Sequence, residues 1–343
     1  MNVFRMFHLR SKYICTLIVF IFITFFISHS IIWAEKIKLK KATFIPQWIP
    51  QAQFAGYYMA LYKGIYKKYG IDLTIINGGP DRPSDVYLKD RKADFATMWL
   101  STAIIWRSKG LELVNIAQII QKSSLMFVAK KSSGIRCPRD LNGKRVGLWG
   151  PMFQVQPKAF FNKFGIKIIP VRQSYSVDPF LRGAVDATTA MWYNEYHTIL
   201  MSGIDPNELT TFFFYKYGLN FPEDGIYVLE DTLKRHPKLC ESFVKASIEG
   251  WMYAFSHPNE TVNVVLENLY KAHIPANRAH QRWMLDRMKD LIIPKDIDRK
   301  IGVLNKKDYI RVANILKKQG LISYIPNFDK FYCNLINKNR IYK

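Results

Sequence analysis

Residues 44–80 read FIPQWIPQAQFAGYYMALYKGIYKKYGIDLTIINGGP and contain the pattern that decides the fold. Apolar residues recur at helical spacing over 52–69, and Gly70 follows in the position that a C-cap glycine takes. IDLTII at 71–76 then has the length and composition of a buried strand, and GGP begins a turn. Together with the alternating IKLKKATF at 37–44, the stretch predicts a strand, a helix and a second strand.

The same pattern occurs a second time, about 92–95 residues further along the chain. YKKYGIDLTI at 66–75 is similar to FNKFGIKIIP at 161–170, and LKDRKADFATM at 88–98 is similar to LRGAVDATTAM at 181–191. Strands that alternate with helices favour an α/β fold with a largely parallel sheet. The sequence therefore predicts two α/β lobes of similar build.

The order of these elements predicts where the lobes begin and end. Residues 36–125 and 126–221 are the two predicted lobe cores, and the chain crosses back to the first lobe near 221–226. GIYVLE then has the composition of one more strand, and helical segments follow it. We expect residues 226–343 to complete lobe I, with the C-terminal helices packed on that lobe or across the hinge.

The N-terminus has the order of a secretory signal. Arg5, Arg10 and Lys12 precede the uncharged run YICTLIVFIFITFFISHSIIWA, which ends at the small residue Ala34. Cleavage after Ala34 is one interpretation, but the run is also long enough to span a bilayer. Residues 1–34 are therefore predicted to be either a signal peptide or a membrane anchor, and both interpretations predict an exported, periplasmic protein.

Charge and cysteines restrict the classes of partner. The net charge is +23, but the lysines are spread along the chain and the usual nucleic-acid-binding motifs are absent, so we expect no nucleic-acid partner. The exported part keeps Cys137, Cys240 and Cys333, whose wide spacing does not resemble a metal site. One disulfide with one free thiol, and three buried thiols, both remain open.

Aromatic and polar residues collect where the predicted strands end. The chain has no phosphate-binding loop, nucleophile elbow, H-E-x-x-H or C-x-x-C motif, which argues against several enzyme classes. Ligands of open α/β sheets bind at the carboxyl ends of strands. Rings, amides, hydroxyls and one carboxylate at these positions suit a flat, uncharged or cationic heteroaromatic ring. The residues concerned are Gln47, Trp48, Tyr57, Tyr58, Gly78, Gly79, Trp99, Ser101, Thr102, Trp149, Gly150, Gln154, Trp192, Tyr193, Asn194 and Glu195.

Each of these residues also has a purely structural interpretation. Trp48 and Tyr57 fit a hydrophobic core, and the glycines at 78–79 fit a tight turn. Glu195 fits the start of a helix, where the macrodipole favours an acid. The sequence leaves both interpretations open, and the shared position at strand ends is what favours a ligand site.

From about residue 40 to about residue 290 the chain resembles periplasmic solute-binding proteins for thiamine-pyrimidine precursors. The similar stretches are QWIPQAQFAGYYMALYKGIYKKYGIDLTI with GGP in the first lobe, AMWYNEYHTIL in the second lobe, and NFPEDGIYV at the return crossing. The resemblance implies a type II periplasmic-binding-protein fold, whose two lobes close on a ligand that is delivered to an ABC permease in the inner membrane. We expect a monomer without a cofactor or a metal.

The resemblance also implies roles for the residues of the predicted site. Trp48 and Tyr57 would stack on the ligand ring, and Glu195 would accept a hydrogen bond from an exocyclic amine. The other polar contacts are assigned to Gln47, Thr102 and Asn194, and Gly78 and Gly79 complete the predicted site.

A second family, the yeast-type hydroxymethylpyrimidine phosphate synthases, is similar to the chain at YKGIYKKYGIDL and at RKADFATMWLSTAIIWRSKG. Its pyridoxal-phosphate lysine would fall at Met98 and its active-site histidine at Thr102, and these residues cannot replace them. We therefore predict a binding protein for a pyrimidine rather than an enzyme. The alternatives are a receptor for a sulfonate, nitrate or another small solute, a synthase-like enzyme, and a ligand-sensing module.

Overall fold

The computed structural model describes residues 39–336. The predicted signal or anchor at 1–34 and the beginning of the first predicted strand lie outside these residues. Within 39–336, no helix combines the length and the apolar character that a membrane span requires.

Strands and helices alternate along this part of the chain, as the sequence predicts. The strands are β1 (Lys40–Ile45), β2 (Ile71–Ile75), β3 (Phe95–Trp99), β4 (Leu113–Gln118), β5 (Leu125–Lys130), β6 (Arg145–Leu148), β7 (Ile169–Arg172), β8 (Ala187–Met191), β9 (Leu209–Phe213) and β10 (Asp224–Leu229). The α-helices are α1 (Ala55–Tyr62), α2 (Ile65–Lys68), α3 (Ser84–Lys89), α4 (Leu100–Ser108), α5 (Val155–Phe164), α6 (Asp178–Leu181), α7 (Glu195–Met201), α8 (Glu230–Arg235), α9 (Pro237–Ser256), α10 (Pro258–Lys271), α11 (Arg278–Ile292), α12 (Lys306–Lys318) and α13 (Phe328–Phe331). The helix predicted over 52–69 is divided into a 3₁₀ turn at Ala52–Phe54, α1 and α2.

The strands form two five-stranded sheets of the same construction. The first has the order β2-β1-β3-β10-β4, and the second has the order β7-β6-β8-β5-β9. In each sheet the first three strands are parallel, and the fourth strand runs antiparallel to both of its neighbours. We call the first sheet with the helices packed on it lobe I, and the second sheet with its helices lobe II.

The sequence repeat has a structural counterpart in each lobe. Gly70 and Gly165 follow the ends of α2 and α5 with φ of 78° and 65°, a left-handed conformation that glycine adopts without steric cost. Asp94 and Asp186 stand directly before β3 and β8. Each of these carboxylates accepts a 2.8 Å hydrogen bond from a backbone N–H of the neighbouring strand, at Thr43 in lobe I and at Arg145 in lobe II.

The helices after β10 cover lobe I and also reach lobe II. Helix α9 packs on α1, and α11 packs on the 3₁₀ turn at 52–54, where the Gln281 side chain accepts a 2.8 Å hydrogen bond from the Ala52 N–H. Helix α12 lies between α4 of lobe I and α5 of lobe II. Gln319, at its end, donates to the Val155 carbonyl at 2.8 Å.

The three cysteines among the described residues are free thiols. Cys240 is buried, Cys333 is half-buried and Cys137 is exposed, so neither arrangement expected from the sequence occurs. Burial raises the pKa of the Cys240 thiol to about 12, which keeps this thiol protonated and unreactive at neutral pH.

Candidate functional site

A cleft of about 500 Å³ lies between the lobes, where loops follow the carboxyl ends of strands from both sheets. This volume is within the range of small-molecule binding sites. Six of the eight residues of the predicted site line the cleft, four from lobe I and two from lobe II. They are Gln47, Trp48, Gly79 and Thr102, and Asn194 and Glu195.

Tyr57 lies in the hydrophobic core and does not line the cleft. Its side chain is 1% exposed, and its ring centroid is 4.6 Å from that of Phe44 and 5.8 Å from that of Trp251. Helix α1 directs the Tyr57 side chain toward β1 and α9. The predicted stacking role of Tyr57 does not fit this position, and the structural interpretation applies.

Gly78 also lies outside the cleft lining, and its small size serves the backbone. A Cβ atom at this position would lie 1.9 Å from the carbonyl oxygen of Pro46. Gly78 therefore allows the segment after β2 to pass directly against the segment after β1. The adjacent Gly79 lines the cleft, with a φ of 141°.

Gln47 lines the cleft with its amide held in one orientation, because one of its two N–H groups donates to a carboxylate. Its Nε2 donates to Oδ1 of Asp224, the first residue of β10, and Gln53 donates to the other oxygen of that carboxylate at 2.8 Å. The carbonyl oxygen is then the acceptor that Gln47 offers a ligand, and the second N–H of the amide is a donor. Burial raises the pKa of Asp224 to about 7, while the hydrogen bonds from Gln53 and Gln47 act in the opposite direction.

Glu195 supplies the acceptor on the opposite side, in lobe II. It begins α7, is 9% exposed, and accepts 2.9 Å hydrogen bonds from the Met191 N–H at Oε2 and from the Asn194 side chain at Oε1. Burial raises the pKa of Glu195 to about 7, although these hydrogen bonds favour the ionised form. A carboxylate has about four acceptor positions, so these bonds leave the group able to accept from a ligand.

Aromatic rings from both lobes meet at the cleft around Phe153. Its ring centroid is 5.0 Å from that of Trp99, 6.1 Å from that of Trp149 and 6.5 Å from that of Trp48. Trp48 also contacts the exposed Tyr175 of lobe II edge-on, with centroids 5.2 Å apart. Trp99 and Trp149 are among the predicted strand-end residues, but no sequence signal distinguishes Phe153 and Tyr175 from other loop aromatics.

Anionic and neutral acceptors outnumber cations around the cleft. Among the described residues that line it, Arg172 is the sole cation, and it is exposed. Asp85 also lines the cleft and accepts a 2.6 Å hydrogen bond from the Trp106 indole. Within residues 39–336, no cluster of His, Cys, Asp and Glu has the arrangement of a metal site.

Comparison with known sequences identifies a family, and binding proteins are among the similar proteins. Residues 51–261, more than half of the chain, match the family described as NMT1/THI5 like. The riboflavin-binding protein RibY of Chloroflexus aurantiacus is 24% identical over 312 residues, which cover 86% of each chain. A formylaminopyrimidine-binding protein of Halalkalibacterium halodurans is 24% identical over 241 residues, which cover 66% of this chain and 70% of the relative.

Comparison with solved structures identifies the fold. The crystal structure of the periplasmic aliphatic sulphonate binding protein SsuA from Escherichia coli matches with a TM-score of 0.66 and 13% identity, over 85% of this chain and 96% of SsuA. At this identity the likeness concerns the fold alone, and it confirms the predicted periplasmic-binding-protein fold. With that fold, and with a family match over residues 51–261, the chain belongs to the NMT1/THI5-like family.

Proposed function

We propose that the chain is the substrate-binding component of an ABC importer and holds a pyrimidine thiamine precursor between its lobes. The ligand would be of the hydroxymethylpyrimidine or formylaminopyrimidine type. The observation that carries the proposal is the combination of aromatic rings with hydrogen-bond acceptors on both sides of one cleft. The formylaminopyrimidine-binding relative supports the ligand class. An exported location and an ABC permease as partner are part of the proposal.

The proposed binding mode follows from the chemistry of an aminopyrimidine. The ring is flat, so it stacks against Trp48 and the neighbouring cleft aromatics. Its amine hydrogens need acceptors, and Gln47 Oε1 and the Glu195 carboxylate provide these from the two lobes. The Thr102 hydroxyl adds a donor or acceptor from lobe I.

A sulfonate or nitrate receptor is less well supported by the residues of the cleft. A fully ionised oxyanion is bound by several cations or N–H groups, because its charge must be compensated when water is removed. Arg172 is the sole cation among the described lining residues and is exposed, while Asp85 and Glu195 would repel an anion.

The synthase alternative is less well supported at the position that would carry the cofactor. Met98 and Thr102 both line the cleft, and the resemblance would place that family's imine-forming lysine at Met98 and its active-site histidine at Thr102. A thioether has no amine with which to form an imine, and a threonine hydroxyl cannot replace an imidazole in acid–base chemistry. These two positions support a binding protein.

A larger fused ring such as riboflavin is the second candidate ligand. RibY is similar over 86% of both chains, and its ligand is a flat heterocycle. The cleft of about 500 Å³, with Trp99, Trp149 and Phe153 beside Trp48, offers more stacking surface than a single pyrimidine ring covers.

Two measurements test the proposed function. Native mass spectrometry of the purified protein identifies a ligand retained from the cell, and calorimetric titration compares 4-amino-5-hydroxymethyl-2-methylpyrimidine, formylaminopyrimidine, riboflavin and ethanesulfonate. We expect one of the two pyrimidines to bind with a one-to-one stoichiometry and ethanesulfonate not to bind, whereas binding of riboflavin alone would support the second candidate. Binding of ethanesulfonate alone would contradict the proposal, and a new absorbance band on addition of pyridoxal phosphate would support the synthase alternative.

A further inference from the structure

Helix α11 is attached to lobe I but has side chains that contact lobe II. On one face Met284, Leu285 and Met288 are buried, and the Gln281 side chain accepts the Ala52 N–H at 2.8 Å. On another face His280, Trp283 and Arg287 are half-buried and lie against the β8–α7 region of lobe II. The second face is therefore a contact between the lobes.

Trp283 and Arg287 both contact Trp192 of lobe II. The Trp283 indole N–H donates to the Trp192 carbonyl at 3.1 Å. The Arg287 guanidinium lies 4.8 Å from the Trp192 ring centroid and 4.7 Å from the Trp283 ring centroid. The His197 ring of α7 stacks on Trp283, with centroids 4.7 Å apart and an interplanar angle of 14°. Aromatic stacking and one directed hydrogen bond thus join the lobes.

His280 continues this contact to the ligand-binding carboxylate, and the donors and acceptors have one consistent assignment. Asn194 Nδ2 donates to Glu195 Oε1, so Asn194 Oδ1 is the acceptor of the 2.9 Å bond from His280 Nε2. Neutral His280 then accepts at Nδ1, and His197 Nδ1 donates to it at 2.9 Å. Burial, and secondarily the neighbouring His197, lower the pKa of His280 to about 4, consistent with the neutral form.

We propose that α11 is a latch between the lobes, and that His280 is a positioning residue that orients the Asn194–Glu195 pair when the lobes are closed. The half-buried and polar character of the contact fits an interface that opens and closes, since interfaces between domains are more polar than cores. The effect on ligand affinity rests on the proposed function, whereas the effect on lobe closure does not.

The test compares four forms of the full protein by small-angle scattering without ligand: the parent, His280→Ala, His280→Gln and His257→Ala. His280→Ala should enlarge the radius of gyration, because the bonds to Asn194 and His197 are lost. His280→Gln should restore the parent value, since its amide nitrogen can donate to Asn194 Oδ1 as Nε2 does. His257, an exposed histidine outside the latch, is the matched control and should leave the radius unchanged.

The same proteins are then titrated with 4-amino-5-hydroxymethyl-2-methylpyrimidine. We expect His280→Ala to weaken binding about 3- to 10-fold, as for one lost hydrogen bond, and His280→Gln to remain close to the parent. In a Glu195→Gln background the His280→Ala effect should be smaller, because both changes act on the same carboxylate.

Each outcome decides a separate point. If His280→Ala is folded and its radius of gyration is unchanged, the latch is overturned. If His280→Ala and His280→Gln lose ligand affinity to the same extent, the positioning role of His280 is overturned. If the parent binds none of the heterocycles, the proposed function fails while the scattering comparison still decides the latch. If His280→Ala does not fold, Trp283→Phe replaces it, because this variant keeps a ring and removes the bond to the Trp192 carbonyl; no expansion then overturns the latch.

Discussion

Glu195 is a buried acid whose two oxygens already accept hydrogen bonds from lobe II. These bonds fix the carboxylate at the cleft, and its raised pKa of about 7 reflects the cost of burying its charge. An amine donor from a ligand would offset that cost by stabilising the ionised form. Glu195 is therefore the residue at which charge should matter most for binding.

Replacement of Glu195 by Gln should weaken the binding of an aminopyrimidine. The variant keeps the shape and one acceptor oxygen but loses the charge, so we expect a loss of about 1.5–3 kcal/mol, or about 10- to 150-fold in affinity. Calorimetric titration measures the change, with Glu267→Gln on the exposed surface of α10 as the control. If Glu195→Gln binds the ligand with unchanged affinity, Glu195 serves only as an acid at the start of α7.

Trp48 and Tyr57 provide a matched pair of ring deletions. Trp48→Ala should weaken ligand binding about 10-fold or more through lost stacking and buried area, and should still fold. Tyr57→Ala should instead lower the free energy of unfolding by about 3–5 kcal/mol, the range for large aromatic residues in a core. Urea unfolding and calorimetry separate the two effects, and a Trp48→Ala protein that fails to fold would contradict its place at the cleft.

The sequence was informative about residues at strand ends and less so about residues within helices. Gln47 and Trp48 directly follow β1, where the rule for open sheets applies, and both line the cleft. The core position of Tyr57 does not follow from the sequence, because which side of α1 faces the core depends on where α9 packs. Phe153 and Tyr175 were missed because their loops carry no motif.

At the scale of elements, the internal repeat predicted the architecture well. Asp94 and Asp186 stand at equivalent positions before β3 and β8, and both join the start of one strand to its neighbour. The equal strand orders of the two sheets explain why the repeat occurs. What the repeat could not show is that β5 and β10 each enter the sheet antiparallel, since that depends on the path of the chain between lobes.

Asp94→Ala and Asp186→Ala should destabilise their lobes to a similar extent. Each loses hydrogen bonds to a charged acceptor at a strand start, for which we expect a decrease of about 1–3 kcal/mol in the free energy of unfolding. Urea denaturation measures it, with the exposed Asp72→Ala in β2 as the control. If the free energy of unfolding falls in only one of the two variants, the two aspartates do not contribute equally to stability.

The latch shows why contacts between distant elements could not be predicted from the sequence. His280 and Asn194 are 86 residues apart, and each belongs to a segment whose local pattern predicts only a helix. Their contact arises from the docking of α11 on lobe I and from the position of lobe II. No periodicity or short motif records such a contact.

At the scale of the whole molecule, three buried acids lie at the cleft and at the crossing between the sheets. Burial raises the pKa of Glu195 and Asp224 to about 7, and burial together with the charge of Asp224 raises the pKa of Glu223 to about 8. Glu223 accepts from the Ser124 N–H at 2.6 Å, next to β5. The folded protein thus binds protons that the unfolded chain has already released.

The ligand-free protein should lose stability as the pH rises from about 6.5 to about 8.5. In this range the folded state binds more protons than the unfolded state, so the free energy of unfolding falls with pH. The lowered pKa of His280 acts in the opposite direction only at lower pH. Thermal unfolding across the range measures the slope, which should be smaller in Glu223→Gln and Asp224→Asn; a rise in stability with pH would contradict the burial of these acids as described.

The two-lobed fold was predictable because hydrophobic pattern and turn glycines agree along most of the chain. The exact limits of the lobes at 125–126 and 221–226 stay a prediction, and the assignment of residues 1–34 falls outside the described part of the chain. The ligand depends on the few side chains that meet in the cleft, and the sequence alone could not show which of the candidates do so.

In the proposed binding mode, the cleft recognises a flat ring through its amine hydrogens. The most direct measurement is a calorimetric comparison of 4-amino-5-hydroxymethyl-2-methylpyrimidine with the same pyrimidine lacking the 4-amino group. We expect the amine-bearing compound to bind about 10- to 150-fold more tightly, because the hydroxymethyl group is common to both compounds and only the 4-amino group adds N–H donors for Gln47 and Glu195. Equal affinity for the two compounds, or binding of neither pyrimidine, would contradict it.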